Sequence, residues 1–117
     1  MTRRTERVGD LLLETLSELL LREVKDPRIG SVTLTGVHVD DDLRRVIVRY
    51  TTLGGRGARE QAQRGLASAS RFMQGKAARL LHMKFTPELH FEYDDGFDKA
   101  AELDRLLRGI KKAETPE

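Results

Sequence analysis

The side chains best suited to acid–base work or metal ligation in this 117-residue chain are its three histidines, His38, His82 and His90. They stand at no H-x-x-x-H interval and in no His–carboxylate ligand spacing, so the sequence predicts ordinary, partly exposed histidines and no zinc site. Three consecutive carboxylates, Asp40, Asp41 and Asp42, resemble a metal cluster only in composition. Successive strand residues point to opposite faces, and a calcium loop needs spaced ligands and a glycine, so the run reads as a turn. Without cysteine the chain has no thiolate nucleophile, no thiolate metal site and no disulfide. Gly54-Gly55-Arg56-Gly57 resembles a phosphate-cradling loop, but no Gly-Lys-Ser/Thr follows it and no parallel βαβ pattern surrounds it, so a flexible loop is expected. The sequence therefore predicts no catalytic residue, no metal and no cofactor.

The cations are more informative. Arg3, Arg4 and Arg7 are three and four residues apart and share one side of the opening turns of a helix. Cations there oppose the helix macrodipole by about 0.3 to 1 kcal/mol each, so helix stability does not explain them, whereas an external anion would. Arg64, Arg71 and Arg79, seven and eight residues apart, line one side of a second helix, with Lys76 nearby and Lys84 just beyond. No Asp or Glu falls between Gln61 and Pro87, although the formal net charge of the whole chain is only +2 and its pI about 9.1. Charge is thus segregated along the sequence, as a phosphate-binding track requires. Such a track gives sequence-independent affinity that falls steeply with salt. With Arg45, on the polar side of a strand, these residues form the expected RNA-binding set. The competing reading is a solvated basic surface that serves solubility. Aromatic residues are few and Phe91 and Tyr93 are expected to face inward, so no stacking platform is expected.

These residues must be positioned by three helices and three strands. Val8, Leu11, Leu12, Leu16, Leu19, Leu20 and Val24 recur at helical spacing and predict an amphipathic helix over 4–24, ended by Asp26-Pro27. Val32 and Leu34 alternate on one parity and Val37 and Val39 on the other, which calls for a bulge at Gly36. Val46, Val48 and Tyr50 alternate with Arg45, Ile47 and Arg49, predicting the second strand of an antiparallel hairpin. Helical spacing returns from Ala58 to Leu80, with Gly65 and Gly75 inside it, each costing roughly 1 kcal/mol relative to alanine. Close packing or a bend must offset that cost, and a kink is expected between Ala69 and Lys76. Leu89, Phe91 and Tyr93 mark a third strand, and Phe97, Ala100, Leu103, Leu107 and Ile110 a final helix. The order helix, strand, strand, helix, strand, helix gives an α+β fold with helices covering one face of a three-stranded sheet.

Length and composition, 38% hydrophobic and 34% charged, suit one domain, expected over residues 1–112 with a short polar tail over 113–117. Residues 1–10 carry arginines but no apolar run with a small-residue cleavage site follows them, and no later stretch is apolar enough to span a bilayer. A cytoplasmic monomer with no membrane partner is expected.

Two long segments resemble the bacterial ribosome-binding factor A family. One is Asp26-Pro27-Arg28-Ile29-Gly30-Ser31-Val32-Thr33-Leu34-Thr35-Gly36-Val37-His38-Val39, followed by Asp42, and the other is Phe85-Thr86-Pro87-Glu88-Leu89-His90-Phe91-Glu92-Tyr93-Asp94-Asp95. With the first helix the likeness covers nearly the whole chain. It implies a type II KH-like domain whose usual G-x-x-G backbone clamp is replaced by a helix kink carrying Ala-x-Gly. The glycines at 54–57 form a G-x-x-G but precede the long helix, which is the wrong place for that clamp. The matching positions are Ala69, Ser70 and Arg71, with arginine where glycine is expected and Gly75 one turn later. The resemblance further implies a non-catalytic assembly factor that binds the small (30S) ribosomal subunit and precursor 16S rRNA. It would assist late maturation, including processing of the 16S 5′ end, with a ribosome-associated GTPase as a candidate second partner. The alternatives are a generic KH-like RNA adapter not dedicated to ribosomes, a protein-interaction module using a sheet edge, and a small nuclease drawing on the histidines or Asp40 to Asp42.

Overall fold

A computed structural model describes residues 3–96 and 105–107 of the chain. The first leucine-rich stretch forms helix α1, Arg3–Arg22, and buries Thr5, Gly9, Leu12, Leu16 and Leu19 along a single stripe. Burial of each leucine is worth about 1.5–3 kcal/mol, which sets the helix firmly on the sheet beneath it. The amides of Glu23 and Val24 both donate to the Leu19 carbonyl, closing the helix before Pro27. A 3-10 turn, Pro27–Ile29, follows, with the Asp26 side chain accepting from the Arg28 amide as its N-cap.

Strands β1 (Val32–Val39), β2 (Arg45–Thr52) and β3 (Glu88–Tyr93) form a sheet in the order β1-β2-β3. The expected hairpin is present: β1 and β2 are antiparallel, and β3 lies parallel to β2. The register slips between Leu34, opposite Tyr50, and Gly36, opposite Arg49, so Thr35 is the extra residue of the expected bulge. Leu34 and Val39, on opposite parities in sequence, are thereby both turned to the buried face. The bulge is tied down across the sheet, because the Thr35 hydroxyl donates to Asp94 Oδ2 at 2.8 Å. That hydrogen bond, and another from the Gly96 amide, hold the Asp94 carboxyl below the usual carboxylate pKa.

Helix α2, Arg56–Leu80, starts two residues earlier than its apolar spacing suggests, so Arg56 and Gly57 belong to its first turn. Only Gly54, at φ +103°, and the N-cap Gly55 are left of the expected loop. α1 and α2 cover the same face of the sheet, packing with Leu34, Val39, Val46, Val48, Tyr50 and Leu89 into one core. The backbone of α2 is assigned helical at every residue, Ala69, Ser70, Arg71 and Gly75 included. Its two interior glycines have different surroundings. A β-carbon at Gly65 would lie 2.6 Å from Ile29 Cγ2 and 3.2 Å from Arg28 Cβ, so close packing against the 3-10 turn requires that glycine. At Gly75 the nearest atom would be Arg79 Nη1, 3.9 Å away. The final helix expected over 97–110 lies outside the described residues except 105–107, which are helical, and the polar tail lies outside them entirely.

Candidate nucleic-acid interface

The outer side of α2 carries three arginines with no acidic partner among the described residues. Arg64, Arg71 and Arg79 are exposed and stand in no ion pair there, and their 15-residue span corresponds to about 22 Å of helix. The helix as a whole holds Arg56, Arg59, Arg64, Arg71, Lys76 and Arg79 against the single carboxylate Glu60. The face opposite is built from small residues, Ala62, Gly65 and Ala77, with Leu66 and Met73, which lets α2 sit close to the layer below it. α1, by contrast, balances Arg3, Arg4, Arg7 and Arg22 with Glu6, Asp10, Glu14 and Glu18.

The expected binding residues do not share one surface. Arg64, Arg71 and Arg79 share the outer side of α2. Lys76 is turned toward α1, where its Nζ lies 3.5 Å from Glu23 Oε1, and it is only partly free to meet an external anion. Arg4 lies with Lys84 on a cleft between α1 and the α2–β3 connection, while Arg3 and Arg7 are exposed beside it on α1. Arg45 belongs to neither group. Its neighbours Val46 and Val48 face the helices, so the alternation of the strand turns Arg45 to the opposite face of the sheet, away from α1 and α2.

The same face carries two of the three histidines. His38 and His90 both lie opposite Ile47, one on each side, and so are two strands, about 9.5 Å, apart. The Nε2 of His90 is 3.4 Å from Glu88 Oε1 on its own strand, a carboxylate contact that sequence spacing did not single out. His82 belongs to the α2–β3 connection at φ +51°. No group of three or more metal-ligating side chains occurs among the described residues.

Sequence reasoning missed two contributors. Phe85 is 43% exposed, with the Arg44 guanidinium 4.4 Å from its ring centroid and Lys84 Nζ 5.7 Å from it. The run Lys84-Phe85 carried the signal, but pairing with Arg44 depends on the turn between β1 and β2. A second stack places the Arg59 guanidinium 3.7 Å over Tyr93, whose ring meets Tyr50 edge-on at 5.6 Å. The Tyr50 hydroxyl donates to Gln63 Oε1 at 2.5 Å, and burial raises its pKa above the ordinary phenol value. A larger groove of about 640 Å³, between the second half of α1 and the start of β1, is lined mainly by apolar side chains, and its carboxylate Asp26 is already paired with Arg28.

Residues 4–107 match the family model described as Ribosome-binding factor A. A ribosome-binding factor A of Geobacter sulfurreducens is 42% identical over 111 residues, covering 95% of this chain and 94% of that relative. The crystal structure of ribosome-binding factor A from Thermus thermophilus superposes with a TM-score of 0.67 at 25% identity, over 76% of this chain and 94% of that one. A Thermus thermophilus ribosome-binding factor A model, as fitted into the cryo-EM map of a 30S complex, gives 0.62 at 25% identity, over 74% and 91%. The architecture is accordingly that of an α+β, KH-like type II domain.

Proposed function

This chain belongs to the ribosome-binding factor A family, and from that membership we propose that it binds the small ribosomal subunit through 16S rRNA and assists its late maturation without catalysing a reaction. The carrying observation is the outer side of α2, where Arg64, Arg71 and Arg79 meet no carboxylate among the described residues. Guanidinium groups spaced along a rigid helix suit the phosphates of a folded RNA, each phosphate accepting two parallel hydrogen bonds. Support for processing of the 16S 5′ end follows from the same reading, as does action in the cytoplasm, where ribosomes assemble. The 30S complex of the Thermus relative gives the proposed partner, and a ribosome-associated GTPase is a candidate for a second.

Arg71 takes a special part, since it stands where the family pattern carries glycine. A guanidinium there reaches phosphate by its side chain where a glycine would let the backbone approach. Arg71→Ala is expected to weaken binding to small-subunit rRNA and to lower the slope of log K against log salt by about one. Unchanged binding and slope in a filter assay would remove Arg71 from the interface. The wider reading is tested by sucrose-gradient sedimentation with growing ribosomal particles, followed by crosslinking and mapping of the attached RNA. Comigration with 30S particles and crosslinks within 16S rRNA are expected, and crosslinks scattered outside the small subunit would overturn it.

A further inference from the structure

A cleft of about 350 Å³ opens where the first turns of α1, the turn between β1 and β2, and the α2–β3 connection meet. That volume is near the lower end of small-ligand cavities, roughly 300–1,000 Å³, and suits one planar group better than a length of chain. Val8 and Leu11 of α1, with Met83, give it an apolar lining, and Leu11 remains 46% exposed. Phe85 stands at its edge, with the Arg44 guanidinium 4.4 Å from its ring centroid and 43% of the residue still open to solvent. The exposed part of the ring adds nothing to folding, and cations gathered around it suit the face of a base beside its phosphates.

The backbone of the same cleft is unusual. Leu43, at φ +62°, and His82, at φ +51°, are the non-glycine residues of left-handed conformation among the described residues, and both line it. Histidine tolerates that region, but leucine there must be held by its surroundings, and such residues gather at ligand sites. The acidic neighbour is Asp42, whose Oδ1 accepts from the Arg44 amide at 3.2 Å and so caps the turn that presents Arg44. Asp40 and Asp41, on the same turn, do not line the cleft.

We propose that this cleft takes one unpaired RNA nucleotide, with its base stacked on Phe85 and its flanking phosphates held by Arg4 and Lys84. The proposal rests on the RNA-binding reading and adds to it a preference for a single-stranded element beside the folded RNA that α2 meets. Stacking is sequence-tolerant, because every base offers a π face, so the cleft selects for an unpaired base more than for its identity.

The chain has no tryptophan, so Phe85→Trp introduces a single indole at the site. Titration with an eight-nucleotide unstructured adenylate RNA is expected to quench that indole by half or more, and an RNA duplex or polyglutamate of equal charge to leave it nearly unchanged. In parallel, Phe85→Leu is expected to bind the single strand at least about fivefold more weakly with an unaltered salt slope, whereas Arg4→Gln and Lys84→Gln each lower the slope by about one. Equal quenching by the duplex, quenching by polyglutamate, or Phe85→Leu binding within twofold of wild type would each overturn the proposal. Circular dichroism checks the fold of Phe85→Leu, and if that variant fails to fold the indole titration alone decides. Because free oligonucleotides are used, loss of this site leaves 30S comigration as a separate question, and failure to comigrate leaves the nucleotide site standing.

Discussion

Two proline-bearing connections flank the helical layer, and they spend their polar groups in opposite ways. In Asp26-Pro27-Arg28-Ile29 almost everything is consumed within the fold. Asp26 caps the 3-10 turn and meets Arg28 Nη2 at 2.6 Å, Arg28 reaches Ser68 of α2 at 3.3 Å, and Ile29 is buried against Gly65. In Lys84-Phe85-Thr86-Pro87 only Pro87 is buried, and the other three residues remain exposed. An arginine in the first connection is therefore a brace between the turn and α2, while a lysine in the second is free for a ligand. The edge of β3 beside the second connection shows the same bracing in miniature, where Gln74 Oε1 accepts from the Leu89 amide at 3.0 Å.

The contrast is broken most forcefully at Gly65. Gly65→Val would drive a branched side chain into Ile29 and Arg28, and a loss of about 1–3 kcal/mol is expected, seen as a fall of several degrees or more in Tm. An unaltered Tm would mean that the 3-10 turn is free to move away from α2. Next in size is Asp26→Ala, which removes the cap and leaves Arg28 unpaired, for an expected fall in the urea midpoint smaller than that of Gly65→Val. Asp26 adds a pH signature. Its hydrogen bonds from Arg28 hold the folded pKa below the unfolded value of 3.8, so its contribution is complete above that value and fades as pH falls through the lower, folded one. Asp26→Asn should flatten that part of the acid limb of the stability curve, and an unchanged limb would assign it elsewhere, with Asp94 as the other depressed carboxyl among the described residues. The smallest stability effect belongs to the second connection, where Lys84→Ala should shift stability by no more than about 0.5 kcal/mol while weakening RNA binding and its salt dependence. A marked loss of stability there would erase the distinction between the two connections.

Much of this architecture could be read from the chain. The leucine spacing of α1, the parity change that demands a bulge near Gly36 and the alternation of Leu89, Phe91 and Tyr93 are local patterns set by helical and strand geometry. Long helical spacing also placed Arg64, Arg71 and Arg79 on one side of α2. Less was legible in the glycines. Their cost in a helix follows from sequence, but whether packing or bending offsets it depends on what lies opposite, which for Gly65 is Ile29, 36 positions earlier, and for Gly75 is Arg79 of its own helix.

The sequence by itself determined the elements, their order and the charge carried by α2, because side-chain periodicity and charge spacing are local properties of the chain. Only the tertiary structure decided which cations act together. It sent Arg45 to the sheet face away from α1 and α2, engaged Lys76 with Glu23, locked Arg28 to Asp26, brought Arg4, Lys84 and Phe85 around one cleft and set Arg44 against Phe85. The physical reason is that ion pairing and stacking act over a few ångströms of space, and strand pairing and helix packing bring together residues that lie tens of positions apart in the chain.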